Sequence, residues 1–337
     1  MDDGTSETPA EPAARANATD GGTQAALTIA ISSRAVFELD AANQIWQTQG
    51  IEAYREHQRQ NEERPLEPGP AYPFVKRLLQ LNGIRSGSPL VEVVLLSRND
   101  PDTGLRAFNS IEHHGLPITR AAFLSGSSPY RYLKPFDAAL FLSMNADDVN
   151  EAIAEGYPAG LVLPTPLAAD DTPDHELRIA FDFDGVIADD EAESVYKTQG
   201  LPAFQQHERE HASTVMNPGP LKMFIDRLAT IQEIERGLRK ADASYRPRLR
   251  TAIITARDAP AHRRCVLTLR QWGIRADETF FLGGREKKPI LEVFRPHLFF
   301  DDQRRHLDAA STGVPCAHIP FGIRNRPELA VATAAPA

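Results

Sequence analysis

Thiols are scarce. Cys265 and Cys316 are the only cysteines in 337 residues, too few for a disulfide framework, and no Cys/His cluster has the spacing of a zinc site. A reducing cytoplasmic compartment is the expectation that follows. The chain also lacks any run near the roughly 18 apolar residues that cross a bilayer, so no membrane partner is expected. Basic residues are in deficit, 37 against 46 acidic ones, for a net charge of -9. That balance argues against a nucleic-acid surface and leaves room only for local basic pockets around a small phosphate. Residues 1–26 have neither the basic start nor the apolar core of a targeting signal, and their Ala, Thr, Gly and acidic content predicts a disordered tail. Residues 323–337 are expected to form a second frayed tail.

What is present is an ordinary globular composition, 42% hydrophobic and 25% charged, in a chain long enough for two domains. The most informative phrase is Phe181-Asp182-Phe183-Asp184-Gly185-Val186, which follows the apolar Ile179-Ala180. Alternation along a strand sends Asp182 and Asp184 to one side while Phe183 packs away, and Gly185 permits a sharp turn past a bound anion. Two carboxylates so placed can share a divalent metal and divide the work of nucleophile and general acid. Three further features follow in order: Thr251-Ala252-Ile253-Ile254 ends in Thr255, Lys287 follows a Gly283-Gly284 turn, and Leu298-Phe299-Phe300 delivers Asp301-Asp302.

The chain also repeats itself. A shift of 150 positions aligns residues 29–78 with 179–228 at 17 identities in 50. Further on, a shift of 158 carries Ser97 onto Thr255 and Leu140-Phe141 onto Leu298-Phe299. The first copy has Ser32 opposite Asp182, Arg34 opposite Asp184, Pro129 opposite Lys287 and Ser143-Met144 opposite Asp301-Asp302. It therefore lacks a strong nucleophile and carboxylate ligands. Short β-branched runs alternating with amphipathic segments predict parallel strands joined by helical crossovers. In the second copy the strands are expected at 178–182, 250–255 and 297–301, and the helices at 220–232, 259–272 and 303–311. The charged stretch 189–217 reads as a small helical cap, or, with its counterpart 39–67, as a duplicated element packing the halves together. The expected organisation is a degenerate repeat over 27–165, a linker over 166–177 and a catalytic domain over 178–322.

In their order and placement the four motifs resemble those of haloacid dehalogenase-like (HAD) phosphatases: DxD, a Ser/Thr, a Lys and an acidic pair. The phrases around residues 97–116, 128–137 and 295–303 resemble the cytosolic 5'-nucleotidase family, of the AMP-preferring type I and its bacterial relatives. This likeness covers about residues 27–322. It implies a HAD-like Rossmannoid α/β fold, internally duplicated, that hydrolyses a nucleoside 5'-monophosphate with Mg²⁺. Asp182 is then the nucleophile that forms an aspartyl-phosphate, and Asp184 protonates the leaving 5'-oxygen before activating water. The resemblance further implies a metal bound by the Asp182 carboxylate, the Asp184 carbonyl and a motif-four Asp, with Asp302 the ligand and Asp301 its support. Lys287, which precedes a residue-Pro pair as in that family, screens nucleophile and phosphate, while Thr255 binds a phosphate oxygen.

Other residues carry weaker signals. Arg257 and Asp258 follow Thr255 closely enough to touch substrate, although such a pair also reads as a helix cap or surface ion pair. Tyr196 and Phe204 can stack a nucleobase from the cap, or line a helix core face. His57 and His207 recur through duplication alone. Arg98, Asn99, Asp100 and the 127–132 loop are polar enough to reach across a domain interface. A HAD phosphatase for sugar phosphates and a nucleotide-binding regulator without turnover are the competing readings, and homo-oligomerisation is left open.

Overall fold

The computed structural model describes residues 26–166 and 174–325. Nearly all of the expected N-terminal tail, linker residues 167–173 and residues 326–337 lie outside the described residues. Ten strands alternate with helices: β1 (Leu27–Ile31), β2 (Val91–Ser97), β3 (Arg120–Phe123), β4 (Ala138–Ser143), β5 (Ala159–Val162), β6 (Leu177–Phe181), β7 (Leu249–Thr255), β8 (Glu278–Phe281), β9 (Leu298–Asp301) and β10 (Cys316–His318). They form one sheet in the order β3-β2-β1-β4-β5-β10-β9-β6-β7-β8. Every neighbouring pair is parallel except β5 with β10, where Ala317 pairs Val162 and His318 pairs Leu161.

Each five-stranded half thus has the same spatial order, and the halves run in opposite directions. Strand carboxyl ends of the first half open at one rim of the sheet, and those of the second half at the other. Ligands of open parallel sheets bind beyond the carboxyl ends, so the two rims are separate places. Central strands are buried on both faces: β1 reads LTIAI and β6 LRIAF, apolar apart from Thr28 and Arg178, with every residue buried.

The same local devices occur in both halves. Gly50 (φ 86°, ψ -176°) breaks a helical pair at Asp40–Gln49 and Ile51–Gln60, and Gly200 (φ 82°, ψ -179°) kinks the helix Glu191–Glu210 at the matching position. Left-handed φ favours glycine there because any Cβ is strained. Gly69 and Gly219 serve close approach instead: a Cβ would lie 2.8 Å from the Phe37 carbonyl carbon in the first case and 2.2 Å from the Ala188 oxygen in the second.

Helical insertions pack on their own halves. Arg59 pairs with Asp102 and Arg55 with Asp100 on or beside the helix Pro101–His113, which corrects the reading of the 39–67 stretch as a bridge between halves. Connections across include the β5/β10 seam, Arg77 Nη1 to Asp174 Oδ1 at 2.7 Å, Arg227 Nη2 to Asp137 Oδ2 at 3.2 Å and Arg248 Nη1 to the Gln80 carbonyl at 3.2 Å, and one buried apolar cluster draws on both halves. The helix expected at 220–232 runs from Lys222 to Ala241. Its extra turns carry buried Glu235, whose carboxylate accepts from the Arg248 and Leu249 amides at 2.6 and 3.1 Å and from the Tyr245 hydroxyl at 2.8 Å. Those bonds fix the entry to β7.

Candidate active site

The carboxyl ends of β6, β7 and β9 bring the motifs together. Phe181 is in register with Ile253 of β7 and Phe300 of β9, so Asp182 emerges level with Asp301, and Thr255 stands one step beyond on the other side. The Asp182 amide donates to the Phe300 carbonyl at 2.8 Å, tying the DxD loop to the acidic pair. Asp182, Thr255, Lys287, Asp301 and Asp302 are all buried.

Lys287 is the electrostatic centre. Its ammonium lies 2.9 Å from Asp182 Oδ2 and 2.7 Å from Asp301 Oδ2, with its side chain fully buried. Asp301 is further held by the Gln303 amide at 2.8 Å and by His306 Nδ1 at 3.0 Å. Burial alone would raise the Asp301 carboxyl, but Lys287 and His306 hold it below its ordinary value. Burial pushes the Asp182 carboxyl up to about 7 against the opposing pull of Lys287. The same desolvation raises Asp302 well above the carboxylate range, and the charges of Asp301 and Asp182 add to it.

Asp302 differs from Asp301 in one respect that matters for metal binding. Its Oδ1 is buried with no hydrogen-bond partner, whereas both oxygens of Asp301 are engaged. Asp302 also presses on the loop after the DxD pair. Gly185 has φ 73°, and a Cβ there would come within 2.8 Å of Asp302 Cγ. Ionised together, Asp182, Asp301 and Asp302 carry three negative charges against the one ammonium of Lys287, and burial opposes that ionisation at Asp182 and Asp302 unless a further cation is present. A hard divalent cation fits that deficit. A second grouping, Asp182, Asp301 and His306, has ligand atoms within 4.8 Å of one another, but the Lys287 ammonium already sits between its two carboxylates.

Asp184 points elsewhere. Its two oxygens accept from Arg257 Nη2 at 2.6 Å and Nε at 2.7 Å. Arg257 is buried, its guanidinium carbon 5.5 Å from the Phe183 ring centre and 5.9 Å from that of Phe204. Its own amide donates to Thr255 Oγ1 at 3.2 Å. The reading of Arg257 as a cap or surface ion pair is therefore corrected. Asp258, exposed beside the Gly283 turn, makes no ion pair with it. Phe204 packs edge-on to Tyr196 at 6.1 Å, and Tyr196 is 42% exposed.

Two groups had no sequence signal of their own. His306 lies one helical turn past the acidic pair, and Asn325 donates to the Asp302 carbonyl at 3.0 Å. Residues 323–325 form a short 3-10 turn, not the start of a loose tail: the Ile323 amide donates to Asp190 Oδ2 at 2.6 Å, and Lys197 Nζ donates to the Ile323 carbonyl at 2.9 Å. The first-half residues that looked able to cross an interface stay at home. Arg98 binds Asp148 at 2.7 Å, Asn99 accepts from Tyr54 at 3.1 Å and Asp100 accepts from Arg55 at 2.9 Å.

The order and geometry of these groups agree with a comparison against known families, in which a model described as 5'-nucleotidase matches residues 20–326. This chain belongs to the 5'-nucleotidase family. It is 38% identical over 293 residues to cytosolic 5'-nucleotidase 1B of Homo sapiens, which covers 85% of this chain and 47% of that protein. The chain thus spans about half the length of the curated relative it matches. No solved structure gives a match. The mostly parallel α/β sheet is the HAD-like Rossmannoid architecture associated with the family. Among the described residues no helix is long and apolar enough to cross a membrane.

Proposed function

We propose that this 5'-nucleotidase family member hydrolyses nucleoside 5'-monophosphates of the AMP type to nucleoside and phosphate, with Asp182 as nucleophile and Mg²⁺ as cofactor. The observation that carries the reading is the Lys287 ammonium bridging Asp182 and Asp301 beside the unpartnered oxygen of Asp302. Phosphoryl transfer requires charge neutralisation, an in-line nucleophile and a proton for the leaving oxygen. Lys287 screens Asp182 from the phosphoryl oxygens, and the buried Thr255 hydroxyl donates to one of them. Asp182 Oδ attacks phosphorus to give an aspartyl-phosphate as the 5'-oxygen departs. Asp184 supplies the proton to that oxygen and then takes one from the water that cleaves the intermediate, which requires one of its two oxygens to leave Arg257 while the other stays held.

Asp182, Asp302 and the Asp184 carbonyl would hold the cation, whose chemistry is to neutralise phosphoryl charge. Asp301 is the support that orients Lys287. Tyr196 and Phe204, on the helical element whose Phe204 ring lies 5.9 Å from the Arg257 guanidinium carbon, are assigned to the base. The domain reading goes with this assignment: residues 178–322 carry the chemistry, and 27–165 are a duplicated copy without it. A cavity of about 370 Å³ lies at the counterpart rim, lined among others by Arg34, Glu38, Asp40 and Met144, where Asp40 is held by Arg34 and Glu38 accepts from the Asp40 amide.

The test is phosphate release from a panel of nucleoside monophosphates and sugar phosphates, with Mg²⁺ or EDTA, for the wild type, Asp182→Asn and Ser32→Ala. Metal-dependent release from nucleotides, lost in Asp182→Asn and retained in Ser32→Ala, is expected. Preferential sugar-phosphate turnover would replace the substrate assignment, and equal losses in both variants would end the one-working-half reading.

A further inference from the structure

Behind Arg257 lies a buried ion network. Arg257 Nη1 donates to Glu208 Oε2 and to the Ala261 carbonyl, the latter at 3.2 Å. The other Glu208 oxygen accepts from Arg264 Nη1 at 3.1 Å, and Arg264 Nη2 reaches Glu191 Oε2 at 2.9 Å. Glu208 is fully buried. Its carboxylate is thus shared by two guanidinium groups, and one of them grips both oxygens of Asp184.

The first half supplies an internal comparison. By the same two shifts Gln58 stands opposite Glu208, Asn99 opposite Arg257, Tyr54 opposite Phe204 and Arg106 opposite Arg264. Arg106 Nη1 still donates to Gln58 Oε1, at 3.1 Å, Gln58 Nε2 donates to the Tyr54 hydroxyl at 3.0 Å, and that hydroxyl donates to Asn99 Oδ1 at 3.1 Å. This corner of the fold therefore packs with a neutral amide in place of the carboxylate. The charged version occurs only in the half that has Asp184. The Glu208 charge accompanies Arg257, the second buried guanidinium of this corner, where the first half has the neutral Asn99.

We infer that Glu208 is a positioning residue for leaving-group protonation: it fixes the plane of the Arg257 guanidinium, and Arg257 in turn sets the direction of the Asp184 carboxyl. A guanidinium is a rigid planar fork, so a partner on Nη1 determines where its Nε/Nη2 edge points. Glu208 lies on the helical element that also carries Tyr196 and Phe204, which couples any substrate contact on that element to the acid. The inference rests on the proposed hydrolysis and on Asp184 as its acid.

The test compares wild type, Glu208→Gln and Arg264→Gln, as full chains, on AMP and on two activated phosphates, p-nitrophenyl phosphate and acetyl phosphate, whose leaving groups depart without a proton. Misplacing a catalytic group by about 1 Å can cost on the order of 100-fold. Glu208→Gln should therefore lower kcat/KM, which reports the steps through departure of the leaving group and not the later hydrolysis of the aspartyl-phosphate, by about 10- to 100-fold on AMP and by less than about 3-fold on the activated phosphates. Arg264→Gln leaves Glu208 on Arg257 and should keep the ratio of the two rates within about 2-fold of wild type. Glu208→Asp, which keeps the charge on a shorter arm, should show the same split at smaller amplitude, and it serves if Glu208→Gln lacks the wild-type circular dichroism. Equal falls on both leaving-group classes, or no fall on AMP, would overturn the positioning role. A wild type inactive on every phosphate ester would instead sink the proposed hydrolysis.

Discussion

Removing the Lys287 charge is the most demanding perturbation this site offers. In Lys287→Met the apolar stem is replaced at similar volume, while Asp182 and Asp301 lose an ammonium that sits 2.9 and 2.7 Å away with no exposure to water. Breaking a buried ion pair from one side costs about 3–5 kcal/mol, because the remaining charge is left uncompensated. A chain of this length has an unfolding entropy of about 0.7 kcal/mol per kelvin, so about 4 kcal/mol corresponds to a fall of about 6 °C in Tm if unfolding is a single transition. Thermal unfolding in EDTA, followed by circular dichroism, measures this directly. Adding Asp301→Asn removes one of the stranded charges and should recover about half the loss, since the two residues share one network. A Tm within about 1 °C of wild type for Lys287→Met, or a double variant no better than the single one, would refute the picture of Lys287 as the counter-charge that lets these carboxylates stay buried.

Asp302→Asn should abolish the rise in wild-type Tm produced by millimolar Mg²⁺ while leaving the fold intact in EDTA, because it removes the anionic ligand that carries the unpartnered oxygen without changing the side chain's volume; a Mg²⁺ response equal to wild type would point to Asp301 and His306 instead. Gly219→Ala places a methyl 2.2 Å from the Ala188 carbonyl oxygen and is expected to destabilise by about 2–4 kcal/mol in chemical denaturation. A change under about 0.5 kcal/mol would show that the loop yields.

Much of this was legible in the chain because the strongest signals are local. The runs ending at Asp182, Thr255 and Asp301 became β6, β7 and β9, whose carboxyl ends meet as the motifs require. The short strands β8 and β10 escaped prediction, since four and three residues hold too little periodicity to separate from loop. The extension of helix Lys222–Ala241 depended on Glu235, a carboxylate that reads as surface until its partners at 245, 248 and 249 are known. Arg257 was hardest. Its two carboxylates lie 73 and 49 residues away in sequence, and only folding reveals that both are desolvated on the same guanidinium.

The β5/β10 seam gives the first half a physical use that owes nothing to chemistry. An open sheet edge offers unpaired amides and carbonyls to any passing strand, and proteins must blunt such edges to stay monodisperse. β10 is only Cys316–His318, buried throughout and apolar at its centre, a poor strand to leave bare. Pairing with β5 closes it, and does so with a partner on the same chain, at an effective concentration no separate molecule could match. A half without the carboxylate pairs can still be indispensable as the cover for the edge that the second half would otherwise expose.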